Sequence, residues 1–312
     1  MTLDNLIKPL RIDHWVKNLV IFFGYIVALL YLPSFKIDLK IVGLGFFILC
    51  ISASSNYLIN EYFDRYSDKY HPVKKWRYFA KKKSSGFVVL INYFLLVSSS
   101  IFLSYLININ FLLLNIFFLI CGVLYNIKPF RIKDIFILDV ILESINNPTR
   151  FTMGWFLVIP NLFPPISIIF FLWFVGCFLM TMKRYSEYGF IKQKKVKPEL
   201  YRFSFKKYNL NNLFNLSLFY CLISFFFFTI FVIKYKIELL IIVPFVCFLY
   251  IHIFNISKKK NSIIMKIEKI YQDKIFIIIF ILISFMCFVL LKIEIDLLNI
   301  FQSQELIRLK YY

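Results

Sequence analysis

The strongest constraint on this chain is its succession of apolar runs, several longer than the ~18 residues needed to cross a bilayer. Of its 312 residues, 60% are hydrophobic, 21% are aromatic and only 8 are Gly. A soluble domain is about half apolar, so a soluble globule is excluded. In lipid the backbone must satisfy its own hydrogen bonds, which an open sheet cannot do. The expected fold is therefore all-α: a polytopic membrane protein forming one transmembrane domain over residues 1–312. About nine spans are expected, at roughly 17–34, 40–60, 87–106, 109–127, 135–159, 162–182, 212–233, 238–254 and 274–291.

A formal net charge of +20 could suggest a nucleic-acid partner. Its placement argues otherwise, because the basic residues lie in short loops beside apolar runs. There they set topology and meet anionic lipid, and no nucleic-acid motif accompanies them. With the N-terminus placed in the cytoplasm, 29 Lys and Arg fall on the cytoplasmic side and 7 on the other, with Arg150 inside a span. This asymmetry predicts N-terminus in and C-terminus out, in the cell (inner) membrane. The polar opening residues 1–13 do not form a cleavable signal peptide. The six cysteines (50, 121, 177, 221, 247 and 287) are scattered singly without CxxC spacing, as expected of reduced, buried side chains.

Against this apolar background, carboxylates at membrane ends stand out. Glu61, Asp64 and Asp68 recur at i, i+3 and i+7, on one helix face at the cytoplasmic end of the second span. Three acids on one face repel unless something positive sits among them. A solvated helix end is the plain alternative. A divalent cation is the chemical one, since Mg²⁺ prefers carboxylate oxygens and shares its shell with phosphates. The basic loop that follows carries His71, Lys74 and Arg77, placed to cover phosphate oxygens left by the metal.

Two further constellations lie at the same face. Asp139, Glu143, Asn146 and Arg150 are spaced 4, 3 and 4 in an apolar segment. Each ionisable group at membrane depth costs ~2.5–3.5 kcal/mol on insertion scales, so it normally faces a polar cavity or a partner. A structural Arg150–Glu143 pair is the competing reading. Lys183 and Arg184 end the sixth span. They are either topological anchors or phosphate ligands, a point charge and a bidentate fork respectively.

Taken together, these residues resemble the UbiA superfamily of intramembrane prenyltransferases. Asn60-Glu61-x-x-Asp64-x-x-x-Asp68 is similar to its Asn-Asp-x-x-Asp-x-x-x-Asp hallmark, with Glu61 in place of the first Asp. Tyr125-Asn126-x-x-Pro129-x-Arg131-Ile132-Lys133, followed by Asp139, resembles its second region. Three stretches look most like the decaprenyl-phosphate phosphoribosyltransferase branch: Leu10 to Asn18, Asp68 to Arg77, and Lys183-Arg184-Tyr185-Ser186-Glu187. Glu143 to Arg150 departs from that branch's pattern.

The resemblance implies a helical bundle around a central polar cavity opening to the cytoplasm. It also implies Mg²⁺-dependent transfer from a diphosphate donor, with Asp64, Asp68 and Asp139 catalytic. Asn60, Glu61, Asp64 and Asp68 would hold Mg²⁺. Substrate-binding would fall to Asn60, Lys74, Arg77, Tyr125, Lys133, Glu143, Arg150, Lys183 and Arg184. The expected donor is phosphoribosyl diphosphate and the acceptor a polyprenyl phosphate, serving cell-envelope polysaccharide synthesis. A prenyl diphosphate donor with an aromatic or lipid acceptor is the alternative enzyme. A membrane transporter is the alternative of another class.

Overall fold

The computed structural model describes residues 8–32, 37–69, 74–81, 85–194, 197–259 and 261–301. His71, expected beside the site, lies outside the described residues. Among these residues every regular element is helical and no strand occurs. The main helices are α1 (Val20–Tyr31), α2 (Leu39–Asp68), α3 (Gly86–Tyr105), α4 (Ile109–Asn126), α5 (Leu138–Ser144) and α6 (Asn146–Phe156). They continue with α7 (Ile166–Gln193), α8 (Leu210–Tyr235), α9 (Val243–Ser257) and α10 (Lys274–Leu290).

Among the described residues, seven helical stretches are long and apolar enough to cross a membrane, and α10 adds a shorter apolar helix of 17 residues. The expected fifth span is interrupted: α5 and α6 meet at Ile145. Pro148 has no N–H to return to the Ser144 carbonyl, so the regular ladder breaks there.

Side chains close several helix starts. Asp38 accepts from the Lys40 and Ile41 N–H groups at 2.8 and 3.2 Å. Asn108, Asn209 and Asp273 do the same for α4, α8 and α10. Each satisfies a donor that the first turn leaves without an intrahelical partner.

Between helices, packing relies on small and amide residues, because lipid supplies little drive for apolar helices to associate. A Cβ added at Gly24 would sit 1.8 Å from the Phe151 carbonyl oxygen, and one at Gly154 would sit 1.9 Å from that of Ile21. These two glycines let α1 and α6 touch backbone to backbone. Buried Asn115 accepts from Ser52 at 2.6 Å and donates to Ser104 at 2.9 Å, joining α2, α3 and α4. Trp155, Phe151 and Phe111 fill the core around these contacts.

The fold carries the expected acids and bases to one end of the bundle. α2 and α4 finish there, α5 begins there, and the last turns of α7 rise beside them.

Candidate active site

Asp64 and Asp68 occupy the last turn and a half of α2. Asp64 Oδ1 lies 2.6 Å from Lys133 Nζ and 3.0 Å from Arg131 Nη2. Asp68 Oδ2 lies 2.7 Å from Arg77 Nη1. The cations therefore come from two separate segments, the residues after α2 and residues 131–133. Asn60 donates to Asn126 Oδ1 at 2.5 Å, and Lys133 donates to the same oxygen at 3.0 Å. This contact ties the acid helix to the end of α4.

Glu61 behaves differently from its two companions. Its Oε1 accepts the Phe79 N–H at 3.2 Å, capping the short helix Tyr78–Lys81 instead of facing Asp64. Among the described residues no three acidic, His or Cys side chains converge on one point. The donor set nonetheless suits a hard divalent cation. Asp64 takes both bases on Oδ1 and Asp68 takes Arg77 on Oδ2, so each carboxylate has a second oxygen outside these pairs. Mg²⁺ needs only one or two carboxylates when a substrate phosphate completes its shell.

A second buried cluster forms around Asp139, which is 0% exposed. Asp139 Oδ2 meets Arg202 Nη1 at 2.8 Å, Arg184 Nε at 3.3 Å and Ser204 Oγ at 3.3 Å. Its Oδ1 accepts from Tyr208 at 2.7 Å. Arg184 also pairs with Glu187 at 3.1 Å and donates to Tyr125 at 3.4 Å. Arg202 reaches the same Tyr125 hydroxyl at 3.4 Å. Tyr125 thus sits between two guanidiniums. Lys183 lies within electrostatic reach of Glu187, and Glu143 within reach of Tyr125.

Two of the four positive-φ residues other than glycine among the described residues, Arg131 and Ile137, flank the turn between the two clusters. Arg11, Arg131 and Ile137 have positive φ values of 52°, 34° and 68°. Such conformations are costly for side-chain-bearing residues, most of all a β-branched one. The Ile137 turn is held by the Leu138 N–H bonding to the Phe136 carbonyl at 2.8 Å and by Tyr208 accepting from the Ile137 N–H at 3.0 Å.

Lys74 Nζ donates to the Tyr201 hydroxyl at 2.5 Å. Burial pushes its ammonium down to about 7. Lys133 is also lowered by burial, which outweighs the favourable charge of Asp64. Arg150 stands apart from Asp139. Its Nε donates to Asn18 at 3.0 Å and its Nη1 to Asn147 at 3.3 Å. Glu143 is within its electrostatic reach, without an ion pair between them among the described residues. The expected alternative of an Arg150–Glu143 pair is replaced by amide partners.

Sequence reasoning gave no site role to Arg131, though it lies within the second motif, nor to Arg202, Ser204 and Tyr208 in the segment 201–208. Arg202 was counted only among the 29 Lys and Arg expected on the cytoplasmic side. An arginine set among Tyr201, Phe203, Phe205 and Tyr208 is an unusual composition for a topological anchor, and that was the available signal. An apolar cleft of ≈ 300 Å³ between α9 and α10, lined by Phe245, Phe248, His252 and Ile275 among others, includes none of the site residues.

These features define a class: a polytopic all-α membrane protein with a charged site gathered at one end of its bundle. Within that class, the chain belongs to the UbiA prenyltransferase family, which it matches over residues 20–272. It is 25% identical over 197 residues to a decaprenyl-phosphate phosphoribosyltransferase of Mycolicibacterium smegmatis, covering 59% of this chain and 57% of that protein. A protein of the same name from Corynebacterium glutamicum is 34% identical over 77 residues, 24% of this chain and 22% of that one. The chain thus matches less than two thirds of the length of either relative.

The fold is similar to a UbiA homologue from Archaeoglobus fulgidus bound to GPP and Mg²⁺, with TM-score 0.66 and 20% identity over 93% of this chain and all of that one. The same homologue bound to DMAPP and Mg²⁺ gives 0.68 at 19% identity with the same coverage.

Proposed function

We propose that this protein transfers a 5-phosphoribosyl group from phosphoribosyl diphosphate to a polyprenyl phosphate in the membrane, with its site facing the cytoplasm. The observation that carries this reading is the number of bases around the acids. Arg77, Arg131 and Lys133 already bracket Asp64 and Asp68, and Arg184 and Arg202 form a second cationic cluster with Asp139. A prenyl diphosphate has one polar end to satisfy. A phosphoribosyl diphosphate carries a further phosphate on the other side of its sugar, which suits two cationic clusters. Both similar curated proteins are named for phosphoribosyl transfer.

Asn60, Asp64 and Asp68 would hold Mg²⁺, which when bound neutralises diphosphate charge and eases its departure. Lys74, Arg77, Lys133, Lys183, Arg184 and Arg202 bind phosphate oxygens, exchanging their present carboxylate or hydroxyl partners for the donor. Asp139 and Tyr125 keep Arg184 and Arg202 aimed at one place, and Glu143 lies near the sugar. The bond from ribose C1 to diphosphate breaks, and its electron pair leaves with the diphosphate. An oxygen of the acceptor phosphate forms the new bond to C1. Cationic side chains stabilise the charge growing on the leaving group. The acceptor is already ionised at neutral pH, so the site needs no strong general base.

Prenyl transfer is the second reading, favoured by the prenyl diphosphates named with the structural neighbours. A decisive variant is Asp64→Asn. It keeps the side chain's size while removing the charge that Lys133 and Arg131 hold. Its turnover is expected to fall by about 10³-fold or more with the protein still in the membrane. Wild-type turnover in this variant would rule the acid site out.

A further inference from the structure

The cleft between α9 and α10 lies outside both charged clusters. Phe245, Phe248, His252 and Asn255 form its α9 wall, with Ile275 and Ile279 opposite on α10. Its flank is open: Phe248, Ile251 and Ile275 are 62%, 54% and 55% exposed, as apolar side chains facing lipid are. From Phe245 to Asn255 the wall runs for about 15 Å at ~1.5 Å per residue. That is half of a ~30 Å hydrocarbon core, the depth of one leaflet.

The lining is polar at one end only, where His252 and Asn255 lie. There His252 Nε2 bonds to Asp273 Oδ1 at 2.7 Å, and the same oxygen caps α10 through the Phe276 N–H at 2.9 Å. Asp273 thus clamps the two helices at the mouth of the cleft. This is the end of the bundle that holds the site acids, since Ser186, beside Glu187, donates to the Ser257 carbonyl at the end of α9 at 2.9 Å.

The connection between the helices has an excess of positive charge: residues 258–274 carry six lysines against two acids, Glu268 and Asp273. Lysines in such a connection also set topology, but two of them are placed by the cleft. Lys274 opens α10, one residue before Ile275 of the wall, and is exposed. Lys259 follows α9, is exposed and lies within electrostatic reach of Asp273. Neither lysine has a carboxylate within ion-pair distance among the described residues. Two lysines against one acid leave the mouth positive. An apolar cleft one leaflet deep beneath a positive mouth complements a lipid with a negative headgroup.

We infer that the α9–α10 cleft is a binding site for an anionic phospholipid of the leaflet on the acid-site side, with an acyl chain in the cleft and its headgroup phosphate between Lys259 and Lys274. The site goes beyond the transfer reaction, because it uses none of the residues proposed to hold the donor. A zwitterionic lipid fits the apolar walls equally well but offers the lysines no net charge. Each lysine near an anionic headgroup favours it by about fivefold.

The test uses the full chain in phosphatidylcholine nanodiscs holding a small fraction of phosphatidylglycerol with a photoreactive acyl chain. Crosslinked peptides are mapped by mass spectrometry, with a photoreactive phosphatidylcholine of the same chain as reference. The phosphatidylglycerol probe is expected to label residues 245–255 and 275–279 about tenfold more than the phosphatidylcholine probe. In the double variant Lys259→Gln, Lys274→Gln this preference should fall to about twofold or less. Both lysines are exposed, so the double variant reports even where a cleft-filling variant does not fold. Ile279→Trp, which fills the cleft and keeps both lysines, should remove the labelling by both probes. Equal labelling by the two probes in wild type, or an unchanged preference in the double variant, overturns the site. Displacement of the phosphatidylglycerol label by polyprenyl monophosphate at lower concentration than by unlabelled phosphatidylglycerol gives the cleft to the reacting lipid and overturns it as well. Absence of both labels also overturns it, and a nanodisc mass of two chains then assigns the cleft to a second copy.

Discussion

Lys74 offers the most direct test at the residue scale, because burial beneath Tyr201 pushes its ammonium down to about 7. The sign follows from linkage. Above pH 7 the free protein carries a neutral Lys74, while a polyanionic donor favours the charged form. Donor binding then takes up a proton, and affinity declines as pH rises from about 7 to about 9, by up to about tenfold per unit. Calorimetry in buffers of different ionisation heats should detect this uptake at pH 8 in wild type, and Lys74→Arg should abolish it. Asp139 makes a second prediction. It is fully buried and neutralises Arg184 and Arg202. Asp139→Asn leaves buried positive charge uncompensated, at a cost of roughly 3–5 kcal/mol. A clear drop in thermal midpoint in detergent is expected; an unchanged midpoint would show that the cluster is not held this way. Several such residues were legible in advance, because a charge inside an apolar run is conspicuous. Glu61 shows the limit of spacing. Spacing put it on the face of Asp64 and Asp68, but spacing says nothing of the backbone N–H of Phe79 that claims it.

At the scale of elements, the closest constraint is the crossing of α1 and α6. Gly154→Ala would drive a methyl group into the Ile21 carbonyl, costing roughly 1–3 kcal/mol by overpacking. Because α6 also carries Arg150, the same variant should loosen its bond to Asn18. Gly43→Ala is the control: nothing lies within 4 Å of the added Cβ, and its thermal midpoint should match wild type or exceed it slightly. Equal midpoints for the two variants would contradict the crossing. Long apolar helices were readable because periodicity and length survive without tertiary information. The break between α5 and α6 had its signal in Pro148. The segment from Tyr201 to Tyr208 was hidden by its neighbours: its single arginine was counted with the Lys-rich loop around it. Only the fold shows Arg202 turned inward to Asp139 and Tyr125.

At the scale of the whole molecule, acids and bases from α2, α5, α7 and the segments that connect the helices converge at one end of an otherwise apolar bundle. The carboxylates are present largely in paired form, so an incoming polyphosphate replaces partners instead of entering bare positive charge. Such an exchange would let so many charges coexist at the membrane boundary, and it depends on the identity of the donor. Membranes holding the full chain should be given, in parallel, phosphoribosyl diphosphate labelled in the ribose and a labelled prenyl diphosphate, with polyprenyl monophosphate supplied. Ribose label is expected to enter the lipid fraction, to stop on addition of EDTA and to be absent with Asp64→Asn. Entry of the prenyl label alone would contradict phosphoribosyl transfer, and entry of neither would contradict a transferase.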